Sequence, residues 1–160
     1  MKEEDKQLKQ IKRILVPIDG SKCSLKAARY AIKIAKIQRS KVYCVHAIVK
    51  VPYGNFLDGY AAQMYFEDAR ERSMSWFSDV VKIARQGEAS DNNDSGIEVL
   101  TDIFTSVNSI VVALVNYSRQ KDIDLIVIGT RGNSRIKRLL IGSIAMGVVR
   151  YAGCPVLLVR

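Results

Sequence analysis

Apolar residues follow two alternating rhythms along this chain. "IKRILVPID" (11–19) holds Ile14, Leu15, Val16 and Ile18 almost without interruption, and "KVYCVHAIV" (41–49) and "DIDLIVIG" (122–129) do the same. Short continuous apolar runs rich in β-branched residues predict strands buried on both faces. "IEVLTDIF" (97–104) alternates as a strand should, and "CPVLLVR" (154–160) predicts a fifth strand with Pro155 at its first position, where no ladder donor is needed. Between these runs the period lengthens to that of a helix. "SKCSLKAARYAIKIAKIQ" (21–38) sets Leu25, Ala28, Ile32 and Ala35 on one stripe behind Ser21 as N-cap. Residues 61–89 predict a second helix with Met64, Ala69, Met74, Phe77, Val81 and Ala84 turned inward. Residues 106–121 and 142–151 predict a third and a fourth. Pro52, Gly54 and Gly59 mark 50–60 as a loop, and "SDNNDSG" (90–96) is a turn cluster.

Strands alternating with helices predict an α/β fold: a single-domain, Rossmann-like, five-stranded parallel sheet with helices on both faces, preceded by a charged tail over 1–10. In such sheets ligands sit beyond the carboxyl ends of the strands, where the strand order reverses. "DGSKCS" follows the first strand and "GTRGNS" follows the fourth, and the other strands lead into less suggestive sequence. If those two ends form one site, right-handed crossovers give the order 3-2-1-4-5. Strand one is then central, so Pro17 is expected at its last turn, past its final ladder bond. The strand at 154–160 is then an edge without inward charge, central proline or bulge. Two copies paired antiparallel about a two-fold axis would cover both edges, which predicts a homodimer through 155–160.

Composition and charge narrow the class. The chain has 160 residues, 48% hydrophobic and 26% charged, which suits one soluble domain with a real core. No apolar run approaches the roughly 20 residues that span a bilayer. "MKEEDKQLKQ" has no apolar h-region, so a secretory signal is not expected and the cytoplasm is. Cys23, Cys44 and Cys154 are far apart and lack metal-ligand spacing, so they read as free thiols. The net charge of +9 is uneven: residues 1–41 carry 12 basic and 4 acidic side chains, 42–130 carry 7 and 12, and 131–160 carry 6 and none. Lys22, Lys26, Arg29, Lys33 and Lys36 share one face of the first helix, either as a solvated outer surface or as contact for an acidic partner. No aromatic-interleaved basic motif accompanies them, so nucleic acid is the weaker reading.

The candidate chemistry lies in "GTRGNSRIKRLLIGS" (129–143). Gly129, at the strand end, can let a ligand approach the backbone, and Gly132 can take a positive φ and aim amides into a concavity. Gly142 and Ser143 open the next helix, whose free N–H groups and positive dipole end suit a phosphate. Arg131, Arg135, Lys137 and Arg138 lie between, with no acid. The alternative is a loose basic loop whose glycines only serve turns. The stretch is neither a P-loop nor G-x-G-x-x-G. Asp19 can accept from ribose hydroxyls or an adenine amine, hold a metal with the phosphates, or cap the following helix. His46, the single histidine, sits inside an apolar strand and reads as a satisfied core or strand-end residue rather than a general base. With no Ser-His-Asp or Cys-His constellation, dedicated hydrolysis has little basis.

These residues resemble a known family. Gly129-x2-Gly132-x9-Gly142-Ser143 matches the G-x2-G-x9-G-[ST] motif of ATP-binding universal stress proteins without a gap. "ILVPIDGS", "VYCVHAIV", "DLIVIGTRG" and "GSIAMGVVRYAGCPVLLV" are similar to the family's first, second and fourth strands and C-terminal block. The resemblance spans 11–160. It implies adenine nucleotide binding (ATP, or AMP and ADP), usually in a homodimer, with Mg²⁺ or Mn²⁺ as a companion ion. By position, Asp19 would contact the nucleoside, Ala47 would meet adenine through its backbone, and Ile128 would line the base pocket. Gly129 and Gly132 would approach ribose and phosphates, and Gly142, Ser143 and Ile144 would bind phosphates. Ser21 and Arg131 complete the candidate set. The implied role is a stress-response sensor or nucleotide store, with a weak ATPase or a basic partner-binding module as alternatives. The sequence departs from the family at Asn108, where a glycine is usual, and at Ala47, where valine is common.

Overall fold

Strands and helices alternate strictly in a computed structural model that describes residues 10–49, 59–86, 96–106, 109–132 and 141–160. The rest of the tail, most of the loop at 50–60, the turn at 90–95, Asn108, and Arg135, Lys137 and Arg138 lie outside the described residues. The elements are β1 (Arg13–Pro17), α1 (Lys22–Gln38), β2 (Lys41–Val49), α2 (Gly59–Arg85), β3 (Val99–Ser106), α3 (Ile110–Gln120), β4 (Leu125–Gly129), α4 (Ser143–Tyr151) and β5 (Val156–Val159). All pairings are parallel, in the order β3-β2-β1-β4-β5.

Each strand alternates its side chains between two cores. Ile14, Val16, Val42, Cys44, Leu125 and Val127 meet Ala28, Ile32 and Ala35 of α1 and Phe77, Val80 and Ala84 of α2. Leu15, Val45, Ile126 and Ile128 face the other way, onto Leu114 and Tyr117 of α3 and Ala145 and Val148 of α4. Helices therefore cover both faces, and burial pushes the Cys44 thiol up to about 12, so it stays protonated and inert.

Several boundaries differ from the sequence reading for local reasons. β4 starts at Leu125, not 122, because Asp124 spends its carboxylate on the backbone N–H groups of Lys12 and Arg13, both at 3.0 Å. β3 runs to Ser106 because β2 pairs with it from Val42↔Val99 to Val49↔Ser106, a length hidden by its polar Thr101, Asp102 and Thr105. In α2, Ala69, Phe77 and Ala84 are buried as expected, but Met64 and Met74 are exposed and Val81 is only half-buried. The inward stripe instead runs through Ser73 and Val80. Ser73 disguises it, being a polar residue whose hydroxyl donates to the Ala69 carbonyl at 2.6 Å.

Pro17 is the last residue of β1 and still pairs with Val45, so it does not lie past the final ladder bond as expected. Its nitrogen faces β4, where the register ends at Leu15↔Ile126, so the missing N–H costs no bond.

Candidate functional site

The site begins where β1 stops and its neighbours continue. The Ile18 N–H donates to the Val45 carbonyl at 2.8 Å, the last bond between β1 and β2. β2 continues to Val49. Backbone groups alternate sides along a strand, so the N–H and C=O of Ala47, like those of Val45, point toward β1's side, beyond its end. The Ile18 carbonyl is taken by His46 Nδ1 at 2.7 Å. A carbonyl only accepts, so Nδ1 carries the hydrogen in this bond. The ring also stands edge-on to Trp76, with centroids 5.2 Å apart. His46 is thus held by main chain and an aromatic edge.

The end of β4 forms the facing wall. A side chain on Gly129 would meet the backbone of Cys23, with a carbon 2.8 Å away. This glycine therefore allows the close packing of α1 on β4, a role its motif did not suggest, and it also lines the cavity. Gly132 does not have a positive φ, whereas Gly20 does. Gly132 instead leaves room for Asp19, whose Oδ2 occupies the place a side chain would take. Asp19 Oδ1 accepts from the Ser21 N–H at 3.0 Å, so the carboxylate is fixed by the turn into α1. Ser21 is that helix's N-cap, accepting from the Ser24 N–H at 3.1 Å and reaching the Arg131 carbonyl at 3.4 Å. Its hydroxyl is engaged in the frame and does not line the cavity.

Thr130 joins the parts. Its N–H donates to the Val159 carbonyl at 2.8 Å, and its own carbonyl accepts from the Gly142 N–H at 2.7 Å, so the last glycine of the long motif is tied directly to the end of β4. Gly142 is the N-cap of α4, at φ −70° and ψ 155°, with no side-chain cap, and the first turn holds no acid. The first bond inside that helix is Met146 N–H to Gly142 carbonyl at 2.9 Å. The N–H groups of Ser143, Ile144 and Ala145 are therefore left over at the positive end of the helix dipole.

These pieces enclose a cavity of about 180 Å³. Nine of the ten candidate residues line it: Asp19, Ala47, Ile128, Gly129, Arg131, Gly132, Gly142, Ser143 and Ile144. The residues that the sequence reading missed are mainly apolar. Pro17, Ile18, Val45, Ile110 and Leu114 also line the cavity, and in sequence they look like any other strand or helix core. Thr130 was missed as well; it is 93% buried, its hydroxyl has no partner among the described residues, and nothing but its place between Gly129 and Arg131 marks it. The cavity offers an apolar slot at the strand ends, one carboxylate, and N–H groups with Arg131 at the helix end. Such a slot suits a flat, largely apolar group joined to an anion. Among the described residues, Asp19 is the only carboxylate on the wall, and no group of three His, Cys, Asp or Glu that could hold a metal occurs. No helix among the described residues is long and apolar enough to cross a membrane.

Relatives share this architecture. The chain is 32% identical over 149 residues to universal stress protein MJ0531 of Methanocaldococcus jannaschii, covering 93% of this chain and 82% of that one. Its fold matches the universal stress protein UspA from Lactobacillus plantarum with a TM-score of 0.73 at 24% identity, over 95% of this chain and 99% of that one. It also matches a universal stress protein from Archaeoglobus fulgidus in complex with dAMP, with a TM-score of 0.63 at 22% identity, over 95% and 100% of the two chains. The model of the universal stress protein family matches residues 10–160, and the chain belongs to that family.

Proposed function

We propose that this protein binds an adenine nucleotide, ATP or its products ADP and AMP, and acts as a homodimeric cytoplasmic sensor or store in a stress response rather than as a dedicated catalyst. The observation that carries the reading is the bond between Gly142 and Thr130, which brings the uncapped start of α4 to the mouth of the apolar slot at the ends of β1, β2 and β4. The base lies in the slot against Ile18, Val45, Ile128 and Leu114, with its edge toward the Ala47 N–H and C=O. Asp19 accepts from the ribose hydroxyls. The phosphates lie against the N–H groups of Ser143 and Ile144 and the Ser143 hydroxyl, with Arg131 alongside. Mg²⁺ or Mn²⁺ would be held by Asp19 together with the phosphates, since such ions take one or two carboxylates and complete their shell from the nucleotide and water. The bound dAMP of the Archaeoglobus fulgidus relative agrees with this ligand class.

Thermal unfolding with ATP, AMP and GTP, each with and without Mg²⁺, tests the proposal. A ligand at 100 times its Kd stabilises by about 2.7 kcal/mol. For a chain of this size that raises Tm by about 5–10 °C. A rise with ATP and AMP, a smaller one with GTP, and no steady phosphate release are expected. Unchanged Tm with every adenine nucleotide would refute the reading.

A further inference from the structure

The outer face of α1 plays no part in the cavity. Lys22, Lys26, Arg29 and Lys33 lie on it, all exposed, and none makes an ion pair with another described residue. They span about 16 Å along the helix. Lys36 continues the row and is tied by its Nζ to the Gln86 carbonyl at 3.2 Å. Steps of four, three, four and three make every neighbour a like-charge pair, which destabilises a helix. No acid stands in the first turn to offset the dipole, and Lys22 sits at the end where a cation is least favourable. Beside the row, on one flank, lie Tyr30, 47% exposed, and Ile37, 80% exposed. The helix's other side is spent on the core through Ala28, Ile32 and Ala35, so this face is rigidly presented.

We infer that this face of α1 is a docking surface for an acidic amphipathic helix of a partner protein. Its carboxylates, spaced three and four residues apart, pair with Lys22, Lys26, Arg29 and Lys33, and its apolar side chains cover Tyr30 and Ile37. Charge complementarity selects an anionic partner, and the net charge of +9 steers it in. The exposed Tyr30 and Ile37 select protein over duplex nucleic acid, whose phosphate rim has nothing apolar to set against an isoleucine. This seat rests on α1's own residues and is independent of nucleotide binding.

Fluorescence anisotropy on the full chain tests it with three labelled probes: a 16-residue helical peptide with Glu at 3–4 spacing and Leu on one flank, the same peptide with Ala for Leu, and a 16-base-pair duplex DNA. The Leu peptide should bind, weaken steeply as salt rises, and bind at least fivefold tighter than the Ala peptide. K26E/R29E/K33E should lose at least tenfold, and Ile37→Ala at least threefold with the same salt dependence. Because these positions are exposed, the variants should keep the parent's circular dichroism, and Lys33→Glu alone should lose affinity in the same direction if the triple variant does not. No binding of the Leu peptide, equal binding of both peptides, unchanged affinity in the charge variants, or tighter binding of the duplex would each overturn the proposal.

Discussion

Gly129 and Gly132 lie three residues apart in one motif and do different jobs. At Gly129 a methyl group would press on the backbone of Cys23, which only a shift of α1 can relieve. At Gly132 it would displace a carboxylate from the cavity wall in an otherwise exposed segment. Gly129→Ala is therefore expected to cost about 1–3 kcal/mol of stability, as overpacking does. Gly132→Ala should stay within about 0.5 kcal/mol of the parent. It should weaken ATP binding by about tenfold or more, a loss of roughly 1.4 kcal/mol. Denaturant unfolding and calorimetry on the two variants separate these effects. A stable Gly129→Ala, or a Gly132→Ala that binds normally, would contradict the division of roles.

At the scale of elements, the proposed phosphate site at the start of α4 would trade helix stability against anion binding. Gly142 leaves the helix without a side-chain cap, and its φ and ψ suit any residue. A side chain there would make only a close but ordinary approach to the Thr130 carbonyl, at 3.4 Å. Gly142→Asp supplies a capping carboxylate, and should stabilise the fold by a few tenths of a kcal/mol. The same carboxylate fills the place of a phosphate, so ATP binding should be lost. A rise in Tm without ligand combined with no further rise on adding ATP is the expected signature; retained binding would remove the phosphates from α4. Such elements were largely legible in the sequence because period and capping are local properties. Ser21 announces α1, the continuous apolar runs announce β1, β2 and β4, and the two ends followed by glycine and Asp19 fix which strands adjoin. What escaped depends on neighbours. The ladder from β2 sets the length of β3, a tether from Asp124 sets the start of β4, and Ser73 hides the buried stripe of α2. The cavity followed the same division: its glycines, Asp19 and Ala47 stood out through the motif and the family resemblance, whereas Ile18, Val45 and Leu114 are ordinary core residues until the end of β1 opens a gap beside them.

The whole molecule has two sheet edges, and they are not equivalent. β3 presents Thr101, Asp102 and Thr105, all exposed, so its edge is polar. β5 presents Leu157, 36% exposed, while its neighbour α4 exposes Met146, Val149 and Tyr151. The bonds from Ile126 to the Pro155 carbonyl and from Thr130 to the Val159 carbonyl fix which groups of β5 face β4, so by alternation those of Val156 and Leu158 face outward. We propose that a second copy related by a two-fold axis completes this unprotected apolar edge. The native chain should therefore sediment as a dimer at micromolar concentration. Leu157→Glu places like charges near each other across the antiparallel pair, which opposes that pairing. It should shift the equilibrium toward monomer by at least tenfold and reverse at high salt only in part. Because one chain supplies every described residue of the cavity, the monomeric variant should keep its affinity for ATP. A native chain that sediments as a monomer at all concentrations would refute the dimer, and a monomeric Leu157→Glu that fails to bind ATP would mean that the site needs its partner.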